Sequence, residues 1–287
     1  MGIPIHKFVE PEMTKADHPI TYYLYRSDHF EEIQSQVILE TPVSLTINGE
    51  VWFTFMCTPT DLEALTIGFL YNEELISTID DIASVRVCPA EDNVDLWLNH
   101  PVEKPTLWKK TSGCTGGVTS ATIDPSNKSN LIKHPSEESS ISLDLVNRLI
   151  DKLFQSQDMY KKTGGVHTSI LTDGQNKDVI AEDIGRHNTL DKIAGKLLQN
   201  QLEFDKKILL TTGRISSEMI QKSLRIGASI LISRTSPSTM SVEIAQAMGV
   251  TLIGYARHNH FRLYTHPNRV KEFSYRDGGT TYASSKP

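Results

Sequence analysis

The stretch that decides the fold runs from residue 207 to residue 255 and reads KILLTTGRISSEMIQKSLRIGASILISRTSPSTMSVEIAQAMGVTLIGY. Short runs rich in Ile, Leu and Val alternate in it with longer amphipathic runs. Short apolar runs bounded by turn residues are typical of buried strands, and the longer runs are typical of helices. Strand–helix alternation with short connections predicts a parallel sheet covered by helices. The predicted strands span 207–212, 229–233 and 251–255, and the predicted helices span 216–226 and 238–248.

The segment before this stretch continues the mixture of helices and strands. Apolar residues at 145, 149 and 153, with neighbours at 146, 150 and 154, predict a helix with a broad apolar face. Residues 166–171 and 179–182 are predicted strands joined at Asp173-Gly174, and a further helix follows Asn188 to about Leu198. The second half of the chain is therefore predicted to be α/β.

The first third is predicted to contain strands and one helix. Asn48-Gly49 lies between two alternating apolar runs, which predicts a hairpin because a type I′ turn needs positive φ at both central residues. Helical spacing of apolar residues indicates a helix from Thr60 to Ile76, with Thr60 as its N-cap. Residues 82–88 and 94–98 form a second predicted strand pair.

Residues 99–140 show no sustained periodicity and are dominated by Pro, Ser, Gly, Thr and Lys. A stretch this long without structure of its own is usually either functional or mobile. We place a domain boundary near its end. This gives a β-rich N-terminal domain at residues 1–138 and an α/β domain at residues 139–287.

Composition argues against several classes of protein. A formal charge of −6 over 287 residues argues against a dedicated nucleic-acid coat, which needs a net basic surface. The sequence has no apolar run long enough to cross a bilayer, and its start lacks the basic-then-apolar pattern of a secretory signal. We therefore expect a cytoplasmic protein with neither nucleic-acid nor membrane partners. Its three cysteines are odd in number and far apart, which argues against a disulfide framework.

Cys114 is the first candidate for chemistry, because it lies within Thr111-Ser-Gly-Cys114-Thr-Gly-Gly117. Flanking glycines let a backbone bend and approach a partner closely. A carrier thiol must be exposed and able to ionise, and Lys109 and Lys110 are near enough in sequence to favour the thiolate. The alternative is a loop cysteine without a role. Cys57 and Cys88 each end an apolar strand, and we interpret both as buried structural thiols.

A second cluster joins residues 163–168 to residues 182–188, Glu-Asp-Ile-Gly-Arg-His-Asn. The latter run lies between a predicted strand and a predicted helix, where helix N-terminal amides can hold an anion. Arg186 could bind phosphate or carboxylate bidentately, and Asp183 could orient it. The alternative is an internal pair between these two side chains that shapes a tight turn.

A third cluster consists of two hydroxyl-rich loops that each contain an arginine, residues 211–218 and 233–239. Each follows a predicted strand and opens a helix, the position at which open α/β sheets bind ligands. The two loops suggest a pocket for a phosphorylated molecule. Neither matches a Walker A loop or a complete dinucleotide fingerprint, and the Ser and Thr residues could equally be N-caps.

The fourth cluster, residues 255–267, contains three histidines whose positions have the same parity: His258, His260 and His266. In an extended segment they would share one face and could bind a metal. Because no cysteine or carboxylate joins them at metal-ligand spacing, we favour polar contacts to a ligand over metal binding.

Six motifs, taken together and in order, resemble one family, the formate dehydrogenase accessory sulfurtransferases (FdhD family). The resemblance extends from about Cys57 to His266, over most of the chain. The motifs are Met56-Cys-Thr-Pro-Thr-Asp-Leu-Glu-Ala-Leu-Thr-Ile-Gly-Phe-Leu, Ser112-Gly-Cys114, Thr163-Gly-Gly-Val-His, Glu182-Asp-Ile-Gly-Arg-His-Asn, Thr212-Gly-Arg and Tyr264-Thr-His-Pro.

The resemblance implies both a fold and an activity. The implied fold has two domains: a smaller mixed β domain comes first, and a three-layer, cytidine-deaminase-like domain with a parallel-rich sheet follows it. The resemblance also implies that two such chains form a homodimer. The implied activity is sulfur transfer. A cysteine desulfurase loads Cys114 as a persulfide, and the sulfur passes to molybdenum in the bis(molybdopterin guanine dinucleotide) cofactor that the formate dehydrogenase catalytic subunit needs.

The resemblance also assigns residues. Segment 255–260 matches the family stretch that holds the cofactor, and we expect Arg214 and Arg257 to contact its phosphates because of their loop positions. No resident metal is expected. The residues predicted to bind the cofactor are Tyr255, Ala256, Arg257, His258, Asn259, His260, Arg214 and His187. One departure concerns Gly117, which stands where many members have a second loop cysteine, so transfer through two cysteines is in doubt.

Two rival functions remain open on the sequence alone. A non-catalytic escort of the molybdenum cofactor would keep the binding pocket and make Cys114 incidental. A nucleotide-modifying hydrolase would use the deaminase-like fold, and His29-Phe-Glu31 fits half of the zinc signature of deaminases. The Pro-Cys-x-x-Cys half of that signature does not follow in the sequence, which argues against deaminase activity.

Overall fold

The computed structural model describes residues 16–105 and 140–273, together with the backbone of two short antiparallel strands, β7 (Lys109–Lys110) and β8 (Val118–Thr119). Cys114, Gly117 and the surrounding motif lie outside the described residues. The described part of the chain forms four sheets and six α-helices.

The N-terminal sheet is a single long hairpin. Strands β1 (Asp17–Arg26) and β2 (His29–Ile38) pair antiparallel along their whole length. Both faces of the hairpin carry exposed aromatic side chains, since the consecutive residues Tyr22 and Tyr23 are 43% and 66% exposed. The sequence pattern does not predict this hairpin, because apolar and polar residues do not alternate cleanly in it.

A four-stranded mixed sheet follows, with the strand order β4-β3-β6-β5. The Asn48-Gly49 hairpin is confirmed, with φ values of 49° and 84° at the two turn residues. The predicted pair at 82–88 and 94–98 is also confirmed and is antiparallel. The strands are β3 (Thr41–Ile47), β4 (Glu50–Cys57), β5 (Ile82–Val87) and β6 (Asn93–Leu98).

Helix α1 (Leu62–Asn72) packs on this sheet and is shorter than predicted at both ends. The prediction that Thr60 is the N-cap is wrong. The residue before the helix is Asp61, which has a left-handed φ of 51° and forms no side-chain capping bond. The hydroxyl of Thr60 instead accepts a hydrogen bond from Lys192 at 3.1 Å. A tertiary partner from the second half of the chain therefore replaces the local cap.

The second half is built on a six-stranded sheet with the order β10-β9-β11-β12-β13-β14. Most of its helices and strands occur close to where the sequence predicts them, but the short helix Asp158–Thr163 and the strand His260–Leu263 were not predicted. The prediction of a parallel-rich sheet is wrong in its outer parts, since only the pairs β11–β12 and β12–β13 are parallel and the other three are antiparallel. The strands are β9 (His167–Thr172), β10 (Asp178–Asp183), β11 (Ile208–Thr211), β12 (Ile230–Ser233), β13 (Thr251–Arg257) and β14 (His260–Leu263).

Helices cover both faces of this sheet. Leu171, Leu209 and Leu231 belong to one buried cluster with the residues of three helices, whereas Ile170, Ile208 and Ile230 face the opposite side. Helix α2 (Leu143–Gln155) covers the second face. The helices of the first face are α4 (Arg186–Gln199), α5 (Ser217–Ile226) and α6 (Thr239–Ala247), and the short α3 (Asp158–Thr163) precedes β9. The strands therefore alternate between two cores, as period-two side-chain placement requires.

The two larger sheets are joined through helices α1 and α4, which cross in close contact. Gly68 of α1 and Gly195 of α4 lie at the crossing, and a Cβ on either would overlap backbone atoms of the other helix. The likeness to cytidine deaminase and the domain boundary near residue 138 stay predictions. In the described part of the chain, no helix is both long and apolar enough to cross a membrane.

Candidate functional site

The carboxyl ends of β11, β12 and β13 meet at one edge of the six-stranded sheet, as predicted for parallel strands. Hydrogen bonds join their loops in series: Ser233 Oγ donates to the carbonyl of Gly213 at 2.7 Å, and the amide of Tyr255 donates to the carbonyl of Thr235 at 3.0 Å. A Cβ on Gly213 would lie 2.9 Å from the Cβ of Arg186. Glycine at this position therefore lets the β11 loop approach the start of α4.

Most hydroxyls of these loops hold the loops themselves. The hydroxyl of Thr211 accepts from the amide of Gly213 at 3.1 Å. Ser216 and Ser238 accept from helical amides and cap α5 and α6. The N-cap alternative is thus confirmed for these two serines, and the loops' capacity to bind an anion depends mainly on their arginines.

Two histidines lie beside the arginines at this edge. His167 begins β9, and its Nδ1 lies 3.3 Å from Thr212 Oγ1; His187 is in the first turn of α4, with Nε2 3.5 Å from Ser216 Oγ. Burial lowers the pKa of His167, and the charges of Arg186 and Arg214 lower it further. Burial, followed by the charge of Arg186, holds the pKa of His187 well below its ordinary value. Both rings are therefore neutral near pH 7.

Two arginines beside the histidines, Arg186 and Arg214, contribute positive charge to this edge. Arg186 is 7% exposed and lies in the first turn of α4, whereas Arg214 is exposed in the β11 loop. Guanidinium groups beside helix N-termini are suited to phosphate or carboxylate. Neutral imidazoles beside them can donate or accept one hydrogen bond without adding a further charge.

The start of α4 is held by a buried ion pair. Asp183 Oδ2 lies 2.7 Å from Lys192 Nζ, and neither side chain has any exposed surface. Asp183 Oδ1 accepts from the amide of Gly185 at 2.7 Å and from Asn188 Nδ2 at 2.8 Å. The sequence left open whether Asp183 orients Arg186 toward a ligand or pairs with it internally. In the structure Asp183 forms an ion pair with Lys192, and through its bonds to Gly185 and Asn188 it orders the turn that carries Arg186.

Residues at the end of β4 complete this buried network from the first half of the chain. The amide of Thr58 donates to Asp183 Oδ2 at 3.2 Å, and the hydroxyl of Thr58 accepts from the amide of Ile184 at 3.2 Å. Lys192 Nζ donates to the carbonyl of Thr58 at 3.1 Å. Two motifs that are 125 residues apart in sequence are thereby fixed against one another.

The predicted cofactor-binding segment, residues 255–260, is the hairpin between β13 and β14. Tyr255 and Asn259 have left-handed φ values of 51° and 58°, and Ala256 is buried. Arg257 Nη1 donates to the carbonyl of Arg234 at 2.7 Å. This bond ties the hairpin to the β12 loop and brings the segment to the same edge as Arg214 and His187.

The three histidines of the fourth cluster do not share one face. His258 lies in the turn and its Nδ1 is 3.1 Å from Asp151 Oδ2, whereas His260 begins β14. His266 Nε2 lies 3.1 Å from the carbonyl of Gln246. The extended conformation behind the metal alternative is therefore wrong, and the described residues contain no group of three or more potential metal ligands. His29, from the half signature of deaminases, contacts Asp28 and Glu31 on the exposed hairpin.

Comparison with known proteins places this geometry in a family. Residues 38–271 match the model of the FdhD/NarQ family. The chain belongs to the FdhD/NarQ family. It is 33% identical over 248 residues to the sulfur carrier protein FdhD of Geobacillus kaustophilus, a match that covers 86% of this chain and 94% of the relative. The sulfur carrier protein FdhD of Bacillus subtilis is 31% identical over 251 residues, covering 86% and 95%.

A solved structure of the same kind supports the fold. The crystal structure described as a formate dehydrogenase accessory protein from Desulfotalea psychrophila superposes with a TM-score of 0.72 at 26% sequence identity. The match covers 89% of this chain and 99% of that one. The mixed α/β architecture with several sheets is therefore that of an FdhD/NarQ protein.

The two described cysteines of this FdhD/NarQ protein differ in environment. Burial and the nearby charge of Asp183 raise the pKa of the Cys57 thiol to about 12, so the thiol stays protonated. Cys88 was predicted to be buried, and this is wrong: it is half-buried after β5, with its Sγ 2.8 Å from Asp92 Oδ1. Cys57 is thus a buried thiol, whereas the Cys88 thiol is hydrogen-bonded to a carboxylate.

Three residues that support the site were not predicted from the sequence: Lys192, Asn147 and Asp151. Lys192 occupies a fully buried position of α4, where a lysine is rare unless paired. Asn147 and Asp151 face the hairpin between β13 and β14 from α2. The sequence offers no signal for these three residues. Lys192 shares its side of the helix with the polar Asn188 and Lys196, one turn away on either side, and the two α2 residues lie outside the apolar face of that helix.

Proposed function

We propose that this FdhD/NarQ protein is a sulfur carrier for formate dehydrogenase maturation, with Cys114 as the carrying thiol. The support is the family membership, the relatives named sulfur carrier proteins, and the chemistry of the other cysteines. Cys57 stays protonated because the pKa of its thiol is about 12, and Cys88 donates to Asp92. Cys114 has glycines on both sides in the sequence, which suits a thiol that must meet two partners.

The transfer that we propose has two balanced steps. The Cys114 thiolate attacks the outer sulfur of a cysteine desulfurase persulfide, the S–S bond of the desulfurase breaks, and its cysteine leaves as a thiolate. Cys114 then carries the persulfide. In the second step the outer sulfur passes to molybdenum as sulfide and Cys114 returns as a thiolate. The two electrons that this reduction consumes come from the substrate's molybdenum(IV), which becomes molybdenum(VI).

The acceptor in this proposal is molybdenum bis(molybdopterin guanine dinucleotide), bound as a substrate at the edge formed by β11, β12 and β13. Arg186 and Arg214 suit its phosphates, and the hairpin at residues 255–260 lies beside them through the bond between Arg257 and Arg234. The neutral rings of His167 and His187 can each offer one hydrogen bond to this substrate without adding a further charge beside the arginines. We further propose that the protein acts as a homodimer. The sulfurated cofactor is then delivered to the formate dehydrogenase catalytic subunit.

Mass spectrometry after incubation with a cysteine desulfurase and cysteine tests the carrier role. We expect one added sulfur on Cys114 in the wild type and none in Cys114→Ala. Cys88→Ala is the matched control and should load as the wild type does, because its thiol is held by Asp92. Loading of Cys88 in place of Cys114, or no loading with an active desulfurase, would overturn the proposal.

A further inference from the structure

Asn147 and Asp151 lie one turn apart on α2 and contact the hairpin between β13 and β14. The Asn147 side chain forms two hydrogen bonds with one residue: its Nδ2 donates to Asn259 Oδ1 at 2.9 Å, and its Oδ1 accepts from the amide of Asn259 at 3.0 Å. One turn further, Asp151 Oδ2 lies 3.1 Å from His258 Nδ1. These contacts hold both residues of the turn.

The apolar face of α2 leaves these residues free for this role. Val146, Leu149, Ile150 and Leu153 pack into the core on one face of the six-stranded sheet, so Asn147 and Asp151 project elsewhere. Phe154, one residue beyond that face, lies under the Arg234 guanidinium, whose carbon is 4.5 Å from the ring centroid. Helix α2 thus supports the β12 loop as well as the hairpin.

The contacts are better suited to orientation than to stability. The side chains of His258 and Asp151 are 57% and 44% exposed, and an exposed contact of this kind stabilises a fold by at most about 1 kcal/mol. Asn259 has a left-handed φ of 58°. A pair of hydrogen bonds to its amide and side chain fixes which way the turn presents its neighbours.

We propose that Asn147 and Asp151 are positioning residues that hold the turn of residues 258–259 in the conformation that receives a guanine nucleotide. This inference rests on the proposed function, because it assigns the hairpin to the guanine dinucleotide of the molybdenum substrate. Neither residue touches the nucleotide in this scheme. Both act through the turn, and Asn147 acts through Asn259.

Calorimetric titration with GDP, the guanine diphosphate end of that substrate, tests the inference on the full chain. We expect the Kd for GDP to rise about 3–10-fold in Asn147→Ala, the loss typical of one or two hydrogen bonds. Asp151→Asn should show a smaller rise. Arg148→Ala is the matched control, because Arg148 is exposed on the same helix and, among the described residues, pairs locally with Asp144. Its Kd should equal that of the wild type, and all variants should keep the wild-type thermal midpoint.

A double variant separates positioning from general loosening of the fold. If Asn147 acts through Asn259, Asn147→Ala should add nothing to the Kd of Asn259→Ala. Losses that simply add would overturn the inference, and so would an unchanged Kd in Asn147→Ala. Sulfur loading of the wild type is measured in parallel. Loading without GDP binding would overturn this inference and leave the carrier role standing, whereas neither loading nor binding would overturn both.

Discussion

At the residue scale, the pair of Asp183 and Lys192 shows how the candidate site is held without touching a ligand. Both side chains are completely buried and 2.7 Å apart. Removing one partner of a buried pair leaves an uncompensated charge, which is costly, whereas removing an exposed partner costs little. The conformation of the turn that carries Arg186 and His187 therefore depends on Lys192, which lies further along α4.

We predict that Lys192→Met destabilises the protein by about 3–5 kcal/mol, because Asp183 keeps its burial and loses its counter-charge. Lys196→Met on the same helix is the matched control. Lys196 pairs with Asp61 at 2.7 Å, but the two side chains are 26% and 40% exposed, so its loss should cost less than about 1 kcal/mol. Urea unfolding of the two variants measures the difference. Equal losses in the free energy of unfolding would mean that the buried pair stabilises the protein no more than the exposed pair does.

The sequence indicated the loops of this site but not their internal partners. Glu182-Asp-Ile-Gly-Arg-His-Asn stands out between a strand and a helix, so Asp183 and Arg186 could be singled out. Lys192 could not, because its acceptors include the carbonyl of Thr58, 134 residues earlier. Sequence periodicity reports which face of a helix is apolar, and it does not report a long-range polar partner.

At the element scale, strand–helix alternation predicted the second half well because each short strand is fully buried. All four residues of β11 and all four of β12 are buried, which gives continuous apolar runs in the sequence. The outer strands are different. Both β10 and β14 are antiparallel to their neighbours through short hairpins, and alternation of elements does not encode the direction of an edge strand.

The crossing of α1 and α4 gives a prediction at this scale. Replacing Gly by Ala inside a helix normally stabilises it by up to about 1 kcal/mol. We expect Gly68→Ala to do the opposite and to destabilise the protein by about 1–3 kcal/mol, because its Cβ would overlap the backbone of Asp191 in α4. Chemical unfolding measures the sign directly. A stabilising substitution would show that the two helices can move apart at little cost.

At the scale of the whole molecule, the described structure has separate hydrophobic cores that are connected by contacts between the two halves of the chain. The buried cluster of the four-stranded sheet is distinct from the two clusters on the six-stranded sheet. The division near residue 138 stays a prediction. The crossing of α1 and α4 spans that division, as do the bonds from Thr58 to Asp183. The sequence could suggest two cores from a change of pattern, but it could not show that one half completes the other.

We therefore predict that the two halves unfold together. All three tryptophans, Trp52, Trp97 and Trp108, precede residue 139, so fluorescence reports on the first half. Five of the six described helices follow that residue, so far-ultraviolet circular dichroism reports mainly on the second. Because α4 would expose Gly195 and the buried Lys192 if the first half unfolded alone, both signals should give one coincident transition in urea. Two separated midpoints would mean that the shared network is too weak to couple the cores, and the candidate site would then lose Thr58 before its own sheet unfolds.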